Sequence, residues 1–279
     1  MSSLLFDFDS AGPDETAVFL AEAALAAGPA VMEVYVGGGE VGVKADGSPV
    51  TTADRRAEAV VCGQLARALH TPSIVAEESV AAGKRPALGD RFLLVDPLDG
   101  TREFIGRNGE FTINIALIER GRPTAGVVYA PAIARLWFGG SRAFACAAAI
   151  GAGVPDPSAW RAIHVRRAPP RLIALASRSH ADSHTEAFLD RLPIAERIAR
   201  GSSLKFCVIA EGSADIYPRF GPTMEWDTAA GDAVLRAAGG VVLTPSGEPL
   251  SYGKVGEGLH NPPFVAWGDA RAAECFWEP

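Results

Sequence analysis

The chain has 279 residues, 48% of them hydrophobic and 21% charged, with a formal net charge of −7. That is enough for one large domain or two smaller ones with a buried core, and the composition excludes a disordered chain. The acidic balance excludes a general nucleic-acid binder, which needs a basic surplus to displace counterions from phosphates, but not a small phosphorylated substrate met by bound metal ions.

Asp14 to Tyr35 is Ala-rich with helical apolar spacing, and Gly28-Pro29 predicts a kink or split within it. The tract from Val36 to Ser48 is Gly-rich and reads as a loop or mobile hairpin. Thr51-Thr52-Ala53-Asp54 precedes a second helical pattern, Arg55 to His70. Ser73 to Ala76 and Phe92 to Val95 are short apolar runs of the buried-strand type. Thr112 to Glu119, Thr124 to Tyr129 and Ala134 to Phe138, joined by turn signals, read as an antiparallel meander. The Ala/Gly/Pro stretch from Cys146 to Ser158 is the candidate boundary between a first half, 1–155, and a second half, 156–279. Beyond it, Arg171 to Ala176 predicts a strand, Ser183 to Leu192 and Ser203 to Glu211 predict helices, Asp227 opens a helix to Ala238, and Val241-Val242-Leu243 is a strand. Alternating helices and strands favour an α/β second half.

Four cysteines, Cys62, Cys146, Cys207 and Cys275, lie far apart without CxxC or Cys/His ligand spacing and read as buried free thiols. The start, Met1-Ser2-Ser3-Leu4-Leu5-Phe6-Asp7, lacks a basic n-region and a long apolar core, and no run of about 18 uncharged apolar residues occurs. The expectation is a cytoplasmic protein without an integral membrane span. A homodimer and peripheral attachment at the cytoplasmic face of the inner membrane are both compatible with it.

The strongest chemical signal is Asp96-Pro97-Leu98-Asp99-Gly100-Thr101, where an apolar run delivers two carboxylates into what reads as one tight turn. At about 4 Å and an effective dielectric near 20, they would repel by roughly 4 kcal/mol. A divalent cation removes that repulsion, and magnesium takes hard oxygen ligands of this kind. A strand-ending turn is the bland account of the same residues. Glu77-Glu78 ends an apolar run and can place a carboxylate at a strand end, with a solvated loop as the bland account that local evidence favours, while Asp54 and Asp227 each read as a helix N-cap or a ligand. His180 alone carries no chemistry; packing or nucleotide contact accounts for it. Leu4 to Ser10 shows an Asp-x-Asp like that of haloacid-dehalogenase-type phosphatases, but the expected following residue is absent and a frayed acidic terminus accounts for it better. No GxxxxGK[ST], helix-opening GxGxxG or HExxH occurs.

Together, the order Thr-x-x-Asp, Glu-Glu-Ser, Asp-Pro-Leu-Asp-Gly-Thr and Trp-Asp-Thr-Ala-Ala-Gly resembles the inositol monophosphatase-like superfamily of metal-dependent, lithium-sensitive phosphatases. The resemblance runs from about Asp14 to about Gly268. It implies a layered α/β/α/β/α sandwich of the sugar-phosphatase type, α+β in the first half and α/β in the second, with the active site where they meet. It also implies two or three magnesium ions on Glu77, Asp96, the Leu98 carbonyl, Asp99 and Asp227. Glu77 and Thr101 would position the attacking water and draw off its proton, with Asp54 as a further catalytic residue associated with a weaker metal site. Gly100 and Thr101 resemble the phosphate cradle.

Asp99-Gly100-Thr101-Arg102-Glu103-Phe104 resembles the 3'(2'),5'-bisphosphate nucleotidase branch, as do Ser177-Arg178-Ser179-His180, Gly201 to Phe206 and Tyr217 to Pro222. Lys205 and Arg219 would serve a second phosphate, and Ser202 and Ser203 the nucleotide end. The implied reaction turns 3'-phosphoadenosine 5'-phosphate into AMP and phosphate, a salvage step in sulfur assimilation. An inositol or sugar monophosphatase and a non-catalytic phosphonucleotide-binding regulator are the alternatives.

Overall fold

The computed structural model describes residues 5–44, 47, 49–178 and 182–276, the side chain of Phe276 excepted. In chain order the elements begin with α1 (Pro13–Gly37), β1 (Val41–Val43), β2 (Pro49–Thr51), α2 (Thr52–Leu65), β3 (Ser73–Ala76) and α3 (Glu77–Ala81). Next come β4 (Arg91–Asp99), α4 (Thr101–Ile105), β5 (Thr112–Glu119), β6 (Arg122–Ala130), β7 (Arg135–Gly139), β8 (Ala143–Ala147) and β9 (Arg161–Ala162). The remainder is β10 (Leu172–Ser177), α5 (Ser183–Asp190), β11 (Ile194–Arg200), α6 (Leu204–Ala210), β12 (Ile216–Arg219), α7 (Glu225–Ala237), β13 (Val241–Leu243), β14 (Phe264–Trp267) and α8 (Ala270–Phe276).

Strands β3 to β9 form a seven-stranded sheet in sequence order, and a five-stranded sheet runs β11-β10-β12-β14-β13. The strand period of two sorts the apolar side chains between layers. Leu93, Val95, Ile113 and Ile115 pack with α1 and α2 on one face of the first sheet. Phe92, Leu94, Ala116 and Ile118 pack on the other face with Phe206 of α6 and Ala230 and Val234 of α7, in a core that extends to Tyr217 and Phe264 of the second sheet. Phe188 of α5 and Ala272 of α8 close the far face against Leu172, Ile216 and Trp267. The layers therefore run helix, sheet, helix, sheet, helix, as the sandwich expectation requires. Because β4 and β5 are covered on both faces, their sequences are nearly continuous apolar runs.

Several local expectations need correction. Helix α1 is unbroken through Pro29. The lost hydrogen bond is outweighed by packing: at Gly28 a Cβ would lie 2.7 Å from Cε1 of Tyr129, so the backbone seats directly on β6. By length and apolarity α1 would suffice to cross a membrane, but the side chains responsible, from Ala17 to Val34, are largely buried against α2 and the sheet. Of the two readings of the Gly-rich tract the hairpin agrees with the structure: β1 within it pairs antiparallel with β2 just beyond it. Cys146, placed at the candidate boundary, is buried in β8, and β9 continues the first sheet to Ala162. All four cysteines are free; Cys146 and Cys207 are buried, whereas Cys62 is half-buried and Cys275 exposed. Near the N-terminus, Asp7 pairs with His70 at 2.8 Å and Asp9 with Arg91 at 2.9 Å.

Candidate active site

Asp96 and Asp99 do not share a tight turn; both belong to β4. Three residues apart on a regular strand they would face opposite sides of the sheet. The register changes between them: Asp96 pairs with Asn114 but Asp99 with Thr112, one residue more on β4 than on β5. That bulge restores parity and turns both carboxylates toward α7. Pro97, lacking an N–H, suits the interrupted ladder, and the Asp96 side chain accepts from Leu98 N at 3.0 Å to close the bulge. Gly100 follows at φ +89°, where a Cβ would lie 3.2 Å from the Glu110 carbonyl oxygen and 3.3 Å from Ser202 Cβ. Only glycine fits this left-handed, crowded position, which starts α4 at Thr101.

Asp54 and Asp227 occupy equivalent places in their helices. Neither is an N-cap. Each is the third helical residue and reaches back to the amide before its helix: Asp54 accepts from Thr51 N at 2.7 Å, and Asp227 from Met224 N at 2.8 Å. Asp54 also accepts from the Thr51 hydroxyl at 2.7 Å and from Thr101 Oγ1 at 3.3 Å, and that hydroxyl lies 3.3 Å from the Leu98 carbonyl oxygen as well.

One cavity of about 200 Å³ collects most of the predicted residues. Its wall carries Glu77, Asp99, Gly100, Thr101 and Asp227 together with Ser202, Lys205 and Arg219. Asp96, Leu98, Asp54 and Ser203 are not in the lining. Asp96 is 2% exposed and shares a hydrogen bond with Glu77. Ser203 turns both its N–H and its hydroxyl to Asp99. Of the remaining nucleotidase-like residues, Arg102, Ser177 and Tyr217 line the cavity, while Arg178 pairs with Glu110. Ser179 and His180 lie outside the described residues.

The electrostatics of this wall are unfavourable by themselves. Burial, with the charges of Glu77, Asp99 and Asp227, pushes the Asp96 carboxyl well above its ordinary range. Asp227 is raised by burial and by Asp99 and Glu77. Burial also raises Asp99, against the pull of Lys205, and raises Glu77 to about 6 against the pull of Lys44. Lys44 is a residue that sequence reasoning missed. It follows β1 and pairs with Glu77 at 2.6 Å and Glu78 at 2.5 Å. Nothing in the Gly-rich tract marks it. Asn114, also missed, did leave a signal: it is a lone amide in the apolar run of β5.

Among the described residues no three His, Cys, Asp or Glu side chains already stand in a finished ligating array. The donor set nonetheless fits a hard divalent cation, since four mutually repelling carboxylates, Asp96 buried and Glu77, Asp99 and Asp227 half-buried, are the oxygen ligands magnesium takes. A pH dependence follows. The melting temperature of chelator-treated protein should fall as pH rises, because a raised carboxyl holds its proton more tightly folded than unfolded. For Glu77 the stabilisation is complete below its ordinary 4.5 and declines through about 6, and Asp96 and Asp227 extend the decline upward. Excess magnesium should flatten or invert the slope. Melts in EDTA that stay constant from about pH 4.5 to 7.5 would remove the like-charge cluster from the account.

A five-layer sandwich with carboxylates gathered at a bulged strand end defines a phosphatase of the layered sugar-phosphatase class. The chain belongs to the inositol monophosphatase family, which its residues 13–275 match. It is 46% identical over 228 residues to the 3'(2'),5'-bisphosphate nucleotidase CysQ of Escherichia coli (strain K12), covering 81% of this chain and 89% of that one. The CysQ of Salmonella typhimurium is 45% identical over the same share of each. Among solved structures, CysQ from Bacteroides thetaiotaomicron superposes with a TM-score of 0.75 at 37% identity, covering 91% of this chain and 97% of that one. An IMPase of Thermotoga maritima, 22% identical with a TM-score of 0.73 over 92% and 94%, shares the fold.

Proposed function

We propose that this phosphatase is a 3'(2'),5'-bisphosphate nucleotidase that hydrolyses 3'-phosphoadenosine 5'-phosphate to AMP and phosphate, a salvage reaction of sulfur assimilation. The observation that carries the reading is the lining of the cavity, which holds the carboxylates of Glu77, Asp99 and Asp227 together with the buried cations Lys205 and Arg219. A substrate with two phosphates matches such a lining, one phosphate met by metal ions on the carboxylates and the other by the cations. The curated relatives bear the same name as the proposed activity.

Two or three magnesium ions, held by Glu77, Asp96, the Leu98 carbonyl, Asp99 and Asp227, would acidify water and neutralise charge on the phosphoryl oxygens. The chain's own part is positioning and proton transfer. With its proton directed to Asp54 or to the Leu98 carbonyl, the Thr101 hydroxyl presents a lone pair to a water and holds it for attack. Burial raises the Asp54 carboxyl, which makes it a better proton acceptor for that relay. Glu77, raised to about 6, is a second acceptor near the operating pH. The backbone N–H groups at Gly100 and Thr101 would receive the phosphoryl oxygens. Arg219 is held by donating to the Gly221 and Pro222 carbonyls at 3.2 and 2.9 Å, which fixes the guanidinium for the second phosphate. Cytoplasmic residence and a homodimer complete the proposal.

The test is phosphate release from 3'-phosphoadenosine 5'-phosphate, inositol 1-phosphate and fructose 1,6-bisphosphate with magnesium, with and without lithium. The adenosine bisphosphate should be favoured by about 100-fold in kcat/KM, the worth of one or two charge-assisted hydrogen bonds. Preference for inositol 1-phosphate would overturn the substrate. Tight nucleotide binding without turnover would replace the enzyme with a regulator.

A further inference from the structure

We propose that Asn114 and Ser203 are positioning residues that lock one oxygen of Asp99, leaving the other as a single-point ligand selective for small divalent cations. The inference rests on the metal-dependent reading above. Asp99 Oδ2 accepts three hydrogen bonds: from Ser203 N at 2.6 Å, Ser203 Oγ at 2.8 Å and Asn114 Nδ2 at 3.3 Å. Asn114 also donates to Ser203 Oγ at 2.8 Å, and that oxygen lies 2.9 Å from the carbonyl of Asp227. One serine thus links the Asp99 carboxylate of β4 to the α7 main chain at Asp227, braced by an amide from β5.

Two consequences follow from the chemistry of the carboxylate. A free Asp side chain flips about its terminal torsion, which has two-fold preference; three donors on one oxygen hold it in one orientation. With Oδ2 committed, Asp99 cannot chelate through both oxygens. Magnesium and manganese accept single-point carboxylates in octahedral geometry, whereas calcium readily takes two oxygens of one carboxylate. The clamp therefore favours the smaller ions.

Asn114 is costly where it stands. It is 1% exposed, and among the described residues its Oδ1 has no hydrogen-bond partner. Its neighbours in β5, Ile113 and Ile115, are fully buried apolar residues. An apolar side chain at 114 would serve packing better, so the position is held for what its Nδ2 donates to.

The experiment titrates wild type, Ser203→Ala and Asn114→Leu with Mn²⁺ alone and with Ca²⁺ alone by calorimetry. The Asp99→Asn variant identifies the site that depends on Asp99. Outer residues that orient ligands typically change metal affinity 10- to 100-fold. Each variant should weaken Mn²⁺ at that site by this factor and narrow the Mn²⁺-over-Ca²⁺ preference. In the Asp99→Asn background neither should act further. The KM for substrate at saturating Mn²⁺ should stay as in wild type. Unchanged Mn²⁺ affinity and selectivity in both variants would overturn the proposal. So would a raised KM with unchanged Mn²⁺ affinity, which would make Ser203 a substrate contact. Asn114→Leu lies on a different element from Ser203, so either variant suffices if the other does not fold. A wild type that binds no Mn²⁺ would instead sink the metal reading itself.

Discussion

Asp96→Asn should abolish turnover and, in chelator, raise the melting temperature. Asp96 is buried at the centre of the carboxylate wall, and Glu77, Asp99 and Asp227 all push its carboxyl toward the protonated form. Lys44, the ammonium nearby, is engaged by Glu77 and Glu78. An amide of the same shape relieves the repulsion and so stabilises the metal-free fold. The same change removes a hard anionic donor from the proposed magnesium site. If bound metal contributes several kcal/mol to the transition state, the loss is on the order of 10³-fold or more in kcat. Stability gained with function lost is the signature of a site kept under electrostatic strain. Steady-state assays and melts on one preparation would decide it, and a variant that keeps its activity would take Asp96 out of the metal assignment.

Lys205→Met should raise KM for the adenosine bisphosphate by about 100-fold while changing KM for a monophosphate far less. Lys205 is 5% exposed; its Nζ donates to the Ser202 carbonyl at 2.6 Å and lies 5.0 Å from the centre of the Tyr217 ring. Burial lowers its pKa to about 8, with Asp99 pulling the other way. The cation is therefore present below about pH 8 and lost above it. In wild type, kcat/KM for the bisphosphate should fall on the alkaline side of that value, since this ratio reports the free enzyme. The methionine variant should lack that limb. Equal losses on both substrates would mean that Lys205 shapes the cavity and recognises no second phosphate.

Much of this site was legible because its residues sit at places where sequence pattern and chemistry coincide. The continuous apolar run of Phe92 to Val95 locates a buried strand, and the acids after it have no reason to end such a strand unless they are used. What was not legible is set by contacts distant in sequence. The bulge that turns Asp99 to the face of Asp96 depends on pairing with β5, which no local pattern reveals. Lys44 reaches Glu77 across 33 residues from a Gly-rich tract. Strand β11 escaped notice because it is an edge strand whose Glu196 and Arg197 are exposed, so it shows no apolar alternation. Strand β12 was hidden by Pro218, which is tolerated because β12 pairs with β10 only at Ile216 and meets β14 along its other side. Gly28-Pro29 misled for the converse reason: tertiary packing on Tyr129 overrides a strong local breaker.

Helix α7, which presents Asp227, lies between the two sheets and packs on β4 to β7 as well as on β13. Anyone recombining this chain with a relative would be tempted to cut at the Ala/Gly/Pro stretch after β8. Such a chimera would exchange α7 while leaving behind the strands that seat it, mixing two lineages of side chains within one buried layer. The crossovers that preserve function should instead bracket β10 to β11, so that α6 and α7 are inherited with β4 to β7 and one edge of the second sheet is the interchangeable part.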